Sequence, residues 1–328
     1  MSTFNALRVH QIEKKSEARL EQIALDALTP GEVVIKAAYS SVNYKDALAV
    51  TGKGRIMRKF PCVAGIDVSG TVASSSDSRF KSGDEVLVTG CNIGEEFDGG
   101  YSEYVRVSAA SVVPLPAGLT LAEAMALGTA GFTAGLAVRR MLENHQRPDM
   151  GPIAVTGPSG GVGSVAIQIF SQLGYEVVAL TRKAESTDYL KALGVSEVIV
   201  TTGLDLGSKP MEKARWGGAV DNVGGDLLTY LTRTVKPWGN IASIGLAASA
   251  ELKTTVIPFI LRGVSLLGIH SVECPMPWRR AIWDKLAGEW KPKALDKIVS
   301  QTVGLQAVPE ACQKVIAGQI QGRTLVKV

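Results

Sequence analysis

Over the first ~120 residues, apolar and polar positions alternate with the period of two expected of half-buried strands. The clearest runs are 32–38, 68–73, 85–89 and 101–107, separated by glycine, proline, serine and aspartate. That texture predicts a mainly β domain. At Thr120 the period lengthens, and 121–127 and 130–143 read as helices. From Ile153 onward short continuous apolar runs (153–156, 177–181, 198–201, 218–221, 241–245 and 266–269) alternate with helical stretches. Strands apolar on both faces and interleaved with helices predict an α/β fold built on a doubly wound, six-stranded parallel sheet. After Pro275 the chain turns irregular and helical, and two closing strands, 298–303 and 324–328, are expected to return to the first domain. The expected divisions are 1–124, 125–272 and 273–328, with no internal repeat or low-complexity segment.

The densest chemical signal lies at the first parallel strand. Residues 153–164 read Ile-Ala-Val-Thr-Gly-Pro-Ser-Gly-Gly-Val-Gly-Ser, an apolar run that stops at glycine and reopens as a helix-like stretch over 165–173. This is the pattern of a phosphate-binding turn. Gly157 allows the tight turn, Gly160 and Gly161 leave the backbone bare for close approach, and Gly163 lets the helix pack onto its strand. Ser159, Gly160, Gly161 and Val162 then lie where helix amides face an anion. An ordinary strand-to-helix loop is the plainer reading of the turn taken alone. The next strand narrows the choice, because it ends in Thr181-Arg182-Lys183 with no carboxylate to read a free ribose. A hydroxyl and two cations suit a 2′-phosphate, Arg182 gripping it bidentately and Lys183 adding charge. The predicted cofactor is NADPH; the alternative is a solvated Arg-Lys pair opening a helix over 185–193.

Composition is compatible with an enzyme of this kind. The chain has 328 residues, 46% of them hydrophobic, which is enough for two domains and a large core. Its formal net charge of +4 is not gathered into a tract, so no nucleic-acid partner is expected. Cys62, Cys91, Cys274 and Cys312 are far apart and form no CxxC pair, so neither a disulfide framework nor a zinc site is signalled. The opening residues lack a basic-then-apolar signal, and a soluble cytoplasmic protein without a membrane partner is expected.

Five stretches spread along nearly the whole chain carry a resemblance. They are Ser-Val-Asn-Tyr-Lys-Asp (41–46), Gly-Ile-Asp-Val-Ser-Gly-Thr-Val (65–72), Gly-Thr-Ala-Gly-Phe-Thr-Ala (128–134), Ser-Gly-Gly-Val-Gly-Ser (159–164) and Gln-Gly-Arg-Thr-Leu-Val-Lys-Val (321–328). Together they resemble zinc-independent members of the medium-chain dehydrogenase/reductase superfamily. Residues 43–48, 51–54 and 258–262 resemble more closely its bacterial quinone oxidoreductase-like subgroup, which includes NADPH-dependent acryloyl-CoA reductases. The resemblance implies a GroES-like catalytic domain, a Rossmann domain, and a homodimer joined edge to edge through an apolar final strand at 264–269. It implies cofactor contacts at Tyr44, Thr129, Thr133, Ile260, Ser271 and Arg323, while Asn222 and Leu246 fall at strand ends on the cofactor side. Anchoring of the last strand is the alternative role for Arg323.

The zinc enzymes of that superfamily place a Cys in the stretch matching 40–43 and a His-Glu pair after the glycine matching Gly65. Here those stretches read Ser40-Ser41-Val42-Asn43 and Gly65-Ile66-Asp67, so no metal is expected. The chemistry that remains is hydride donation from NADPH to an electron-poor alkene, followed by protonation of the enolate. Tyr44 is the candidate proton donor or enolate stabiliser, Asn43 a candidate hydrogen-bonding group in the same site, and Asp46 a candidate for orienting the loop. Alternatively Tyr44 only packs on the nicotinamide while water supplies the proton, and Asn43 and Asp46 cap the following helix. Lys53, Arg55 and Arg58, with Lys59 beside them, form a basic run suited to the phosphates of a CoA thioester; a solvated loop is the plainer reading. Three functions compete: reduction of a short enoyl-CoA such as acryloyl-CoA to propanoyl-CoA, reduction of a quinone or enone, and NADPH sensing without turnover.

Overall fold

The computed structural model of the chain describes residues 3–13 and 15–328, and the architecture is α/β as the alternation predicts. The chain divides into two compact units. The first comprises Met1–Phe132, Ser271–Gly288 and Ile298–Val328; the second comprises Thr133–His270 and Glu289–Lys297.

The first unit is β-rich. Its larger sheet is centred on Val33–Val42, which pairs antiparallel with Asp67–Ser75 and with the closing strand Arg323–Lys327, in the register Thr324 to Val42 and Val326 to Ser40. Arg323–Lys327 in turn runs parallel to Val299–Gly304. Both closing strands thus join the first unit, and the register brings Arg323 level with the end of Val33–Val42. Below this sheet the helix Tyr44–Thr51 packs on the helix Val308–Ile316 around Val42, Ala47, Val50, Met57, Tyr101 and Cys312. One hairpin, Phe4–Ile12 with Lys15–Ile23, was not apparent in the sequence. Its second strand, Lys-Ser-Glu-Ala-Arg-Leu-Glu-Gln-Ile, buries only Ile23, so backbone pairing with the apolar first strand defines it where hydrophobic alternation does not.

The helical run after Thr120 forms one element, Leu121–Glu143, broken at Gly128, whose φ of 53° and ψ of −156° lie outside the helical region. The two helices expected over 121–127 and 130–143 are its two arms. At 23 residues it is long and apolar enough to cross a membrane, yet 78% of its most apolar window is buried inside the protein, as in a core helix.

The second unit holds a parallel sheet in the order Glu197–Val200, Val177–Thr181, Ile153–Thr156, Gly218–Asp221, Asn240–Ser243, Ser265–Gly268, six strands among the described residues. Three of these lie within one or two residues of their expected bounds, and the other three fall on them. Ile153–Thr156 is buried throughout and sits centrally, between a strand that follows it in sequence and one from the other half of the unit. That reversal of strand order is where doubly wound sheets place ligands, outside the carboxyl ends of the strands.

Candidate active site

In the first unit the sequence Ser41-Val42-Asn43-Tyr44 carries the chain from a central strand into the helix Tyr44–Thr51. Asp46, at the third helical position, accepts at one oxygen from the Asn43 backbone N–H (2.9 Å) and from Asn43 Nδ2 (3.0 Å), and at the other from the Ile66 N–H (2.9 Å). This ties the helix start to Gly65-Ile66-Asp67. Asp67 accepts from Ser41 Oγ (2.6 Å), Asn43 Nδ2 (2.8 Å), the Thr129 N–H (2.9 Å) and Thr129 Oγ1 (2.6 Å). The Arg323 guanidinium, whose side chain is only 3% exposed, closes the cluster 3.8 Å from Asp67. Burial in this cluster, with Asp67 alongside, raises the Asp46 carboxyl to about 7 despite three hydrogen bonds that favour its charged form.

Gly128 makes this arrangement possible. A Cβ on it would lie 2.6 Å from both an Arg323 Nη and an Asp67 oxygen and 2.8 Å from Ser41 Oγ, and its positive φ disfavours any side chain. The break in the helix therefore exposes the N–H and hydroxyl of Thr129 to Asp67.

Of the three residues proposed for chemistry, only Tyr44 faces outward, 44% exposed. Asn43 and Asp46 do not present their groups to a substrate. Both Asn43 Nδ2 hydrogens go to carboxylates and its carbonyl oxygen accepts from Arg323, while Asp46 is 1% exposed. The structure gives both residues positioning contacts: the Asn43 amide is committed internally, and Asp46 ties the helix start to Ile66. Arg323 likewise points inward, its donors committed to Ala126, Val42, Asn43 and Ser41. Ser41 and Asp67, read from the sequence only as vacant zinc positions, are central members of this cluster.

The basic run also differs from its linear appearance. Arg58 pairs with Glu96 at 3.4 Å and Lys59 lies 3.9 Å from Asp98, acids contributed by a distant loop that one-dimensional reading did not bring alongside. Lys53 and Arg55 are exposed, and Arg55 lines a cavity of about 540 Å³ with Gln11, Ser16, Ile56, Met57 and Phe60. Ser271 is half-buried, its carbonyl held by the buried Arg279 at 2.8 Å.

In the second unit the glycine turn follows Ile153–Thr156, and the helix Gly161–Gln172 opens with Gly160 at its N-cap. A Cβ at Gly163 would stand 2.5 Å from the Gly157 carbonyl oxygen, which makes the bare backbone a packing requirement of the turn. Ser159 is buried, Gly160 exposed, and Gly161 and Val162 half-buried. Thr181 ends the second strand buried and accepts from the Lys183 N–H, leaving Arg182 exposed. At the fourth strand's end Asp221, which the sequence reading missed, accepts from Thr156 Oγ1 (2.7 Å) and the Gly224 N–H (2.8 Å). The adjoining Asn222 donates to the Thr156 carbonyl, and its own Oδ1 is buried without a partner. An orphaned acceptor beside a glycine turn, a helix N-terminus and an exposed arginine fits a dinucleotide. Thr133 is buried, whereas Leu246 and Ile260 stand exposed, Ile260 by 71%.

Residues 29–117 match the alcohol dehydrogenase GroES-like domain family and 161–287 the zinc-binding dehydrogenase family. With a β-rich unit, a doubly wound unit and a glycine turn between strand and helix, the chain belongs to the medium-chain dehydrogenase/reductase superfamily. It is 46% identical to "Putative quinone oxidoreductase YhfP" of Bacillus subtilis (strain 168), over 100% of both chains, and 44% identical to "Acrylyl-CoA reductase AcuI" of Ruegeria pomeroyi, over 99% of both. The yhdH oxidoreductase from Salmonella enterica, solved in complex with NADP, matches with a TM-score of 0.96 at 41% identity over 99% of each chain; the Bacillus subtilis yhfP structure carries NAD. The chain is an oxidoreductase of the quinone oxidoreductase-like subgroup, which has acrylyl-CoA reductases among its members.

The zinc named in the second family finds no suitable donor set. Among the described residues no group of three or more His, Cys, Asp or Glu could hold a metal, and the oxygens of Asp67 are engaged by Ser41, Asn43 and Thr129.

Proposed function

We propose that the protein uses NADPH to reduce the activated C=C bond of a short enoyl-CoA, acryloyl-CoA to propanoyl-CoA. The observation that carries this reading is Tyr44, 44% exposed at the helix start directly after the residues that the polar cluster holds, in a chain that aligns end to end with an acrylyl-CoA reductase. Bound NADPH supplies the hydride. Tyr44 stabilises the negative charge that develops on the thioester oxygen and gives its proton to the enolate carbon, which yields the saturated thioester, and the resulting phenolate takes a proton back from water. The glycine turn and the amides opening Gly161–Gln172 would hold the pyrophosphate, Arg182 and Lys183 would hold the 2′-phosphate, and the unpartnered Asn222 oxygen would accept a donor from the cofactor. Lys53 and Arg55 attract the phosphates of CoA, a preference that a neutral quinone would not share.

The test is NADPH consumption with acryloyl-CoA, crotonyl-CoA and 1,4-benzoquinone, on the wild type and on the joint replacement of Lys53, Arg55 and Arg58 by Ala. Saturation with acryloyl-CoA at the lowest KM is expected, with KM for the ester raised by about tenfold in the variant and quinone kinetics unchanged. Turnover of quinone alone would overturn the reading in favour of a quinone reductase, and NADPH binding with no turnover would favour a sensor.

Arg182→Ala is expected to raise KM for NADPH by about ten- to a hundredfold and leave NADH nearly untouched, because a charge-assisted hydrogen bond contributes roughly 1.5–3 kcal/mol. Equal loss for both cofactors in steady-state assays would assign Arg182 to structure.

A homodimer belongs to the same proposal. Ser265–Gly268 is the edge of the parallel sheet, and Trp238, Val256, Ile260 and Leu261 stand exposed on the segments around it. Sedimentation at twice the 34.6 kDa chain mass is expected, and a monomer at micromolar concentration would contradict it.

A further inference from the structure

We propose that Arg323 acts on the reaction as a positioning residue for Tyr44, through the side-chain amide of Asn43, and makes no contact with the cofactor. This rests on the proposed reduction for its kinetic reading.

Asn43 immediately precedes Tyr44, the first residue of the helix Tyr44–Thr51. Its amide has one arrangement compatible with its neighbours. The nitrogen faces two carboxylates, Asp46 at 3.0 Å and Asp67 at 2.8 Å, and the oxygen faces Arg323 Nη1 at 3.1 Å. Turning the amide over would set its oxygen against two carboxylates and its donors against a guanidinium. Arg323 fixes the same corner at three further points, donating to the Val42 carbonyl (3.1 Å), to Ser41 Oγ (2.7 Å) and to the Ala126 carbonyl (3.1 Å). Ser41 passes its own hydrogen to Asp67 (2.6 Å), and the Tyr101 hydroxyl donates to the Ser41 carbonyl (3.0 Å). Three successive residues before Tyr44 are thus held by one buried cation. Its bonds all run to this corner and to the arm of the broken helix, and with 3% of the side chain exposed it has no face left for a nucleotide. A planar, five-donor group suits this task where an ammonium would not, because four acceptors lie around it in different directions.

Two variants test the inference, Arg323→Lys and Asn43→Ala. The second leaves the buried cation in place and removes its side-chain link to Asn43, together with that amide's two bonds to Asp46 and Asp67, so it carries the test if Arg323→Lys does not fold. For both, kcat for acryloyl-CoA is expected to fall by about ten- to a hundredfold while the NADPH dissociation constant, measured by fluorescence titration, stays within about twofold of wild type. In enzyme labelled with 3-fluorotyrosine, the Tyr44 resonance, assigned with Tyr44→Phe, should shift and broaden in both variants; this readout needs no substrate. The double variant should lose little more than either single one. A weakened NADPH affinity matching the loss of kcat, or an unmoved Tyr44 resonance, overturns the inference. A wild type inactive on every thioester but with a Tyr44 resonance that moves in both variants overturns the proposed substrate alone.

Discussion

Tyr44→Phe is expected to lower kcat for acryloyl-CoA reduction by about 10² or more, with NADPH binding intact. The substitution removes one hydroxyl from a ring that is already 44% exposed, so no buried contact is lost and the fold has little reason to respond. The loss should appear in kcat and in kcat/KM alike, the pattern of an interaction made only in the transition state. Rapid-mixing measurements of NADPH oxidation under single-turnover conditions would separate this from slowed product release. Full turnover by the variant would show that water or another group delivers the proton.

The stability of the protein is expected to fall as pH rises from about 4 to 8, by up to about 4 kcal/mol, and Asp46→Asn should lack this limb. Burial and the neighbouring Asp67 lift the folded Asp46 carboxyl from 3.8 to about 7, so the folded state holds its proton where the unfolded chain releases it. The contribution is fully present below the unfolded value and is lost as pH climbs through the folded one, at roughly 1.4 kcal/mol per unit of separation. The groups facing Asp46 besides Asp67 are Tyr101, Cys312 and Arg323. Burial pushes both the Cys312 thiol and the Tyr101 phenol well above this range, so neither titrates between pH 4 and 8. Urea unfolding at half-unit pH intervals gives the slope, and parallel slopes for wild type and variant would refute the assignment to Asp46.

Much of the architecture was legible because its signals are local. Ile153–Thr156, Val177–Thr181 and Gly218–Asp221 are buried on both faces, and the continuous apolar runs mark them without help from any partner. The glycine turn is equally local, since Gly157 and Gly163 meet within one turn of chain. What escaped depends on distance in sequence. Lys15–Ile23 is a strand because Phe4–Ile12 lies beside it, and its own polar face gives no such sign. The basic run at 53–59 looks uncompensated until Glu96 and Asp98 are folded against it. Asn43 and Asp46 carry the right chemistry for a site, and only the position of Asp67 and Arg323 shows that this chemistry is spent internally.

The clasp on Asn43 also has a place in time. Arg323 and Asn43 are separated by 280 positions, one of the longest reaches a hydrogen bond makes in this chain. At a ribosome's pace of about 5–20 residues per second, residues 41–46 wait about 15–60 s for the arginine that sets them. All six described strands of the parallel sheet are synthesised within that interval, while Asp46 and Asp67 still lack their cation. The corner before Tyr44 is therefore complete only once Arg323 has been made, long after its own residues.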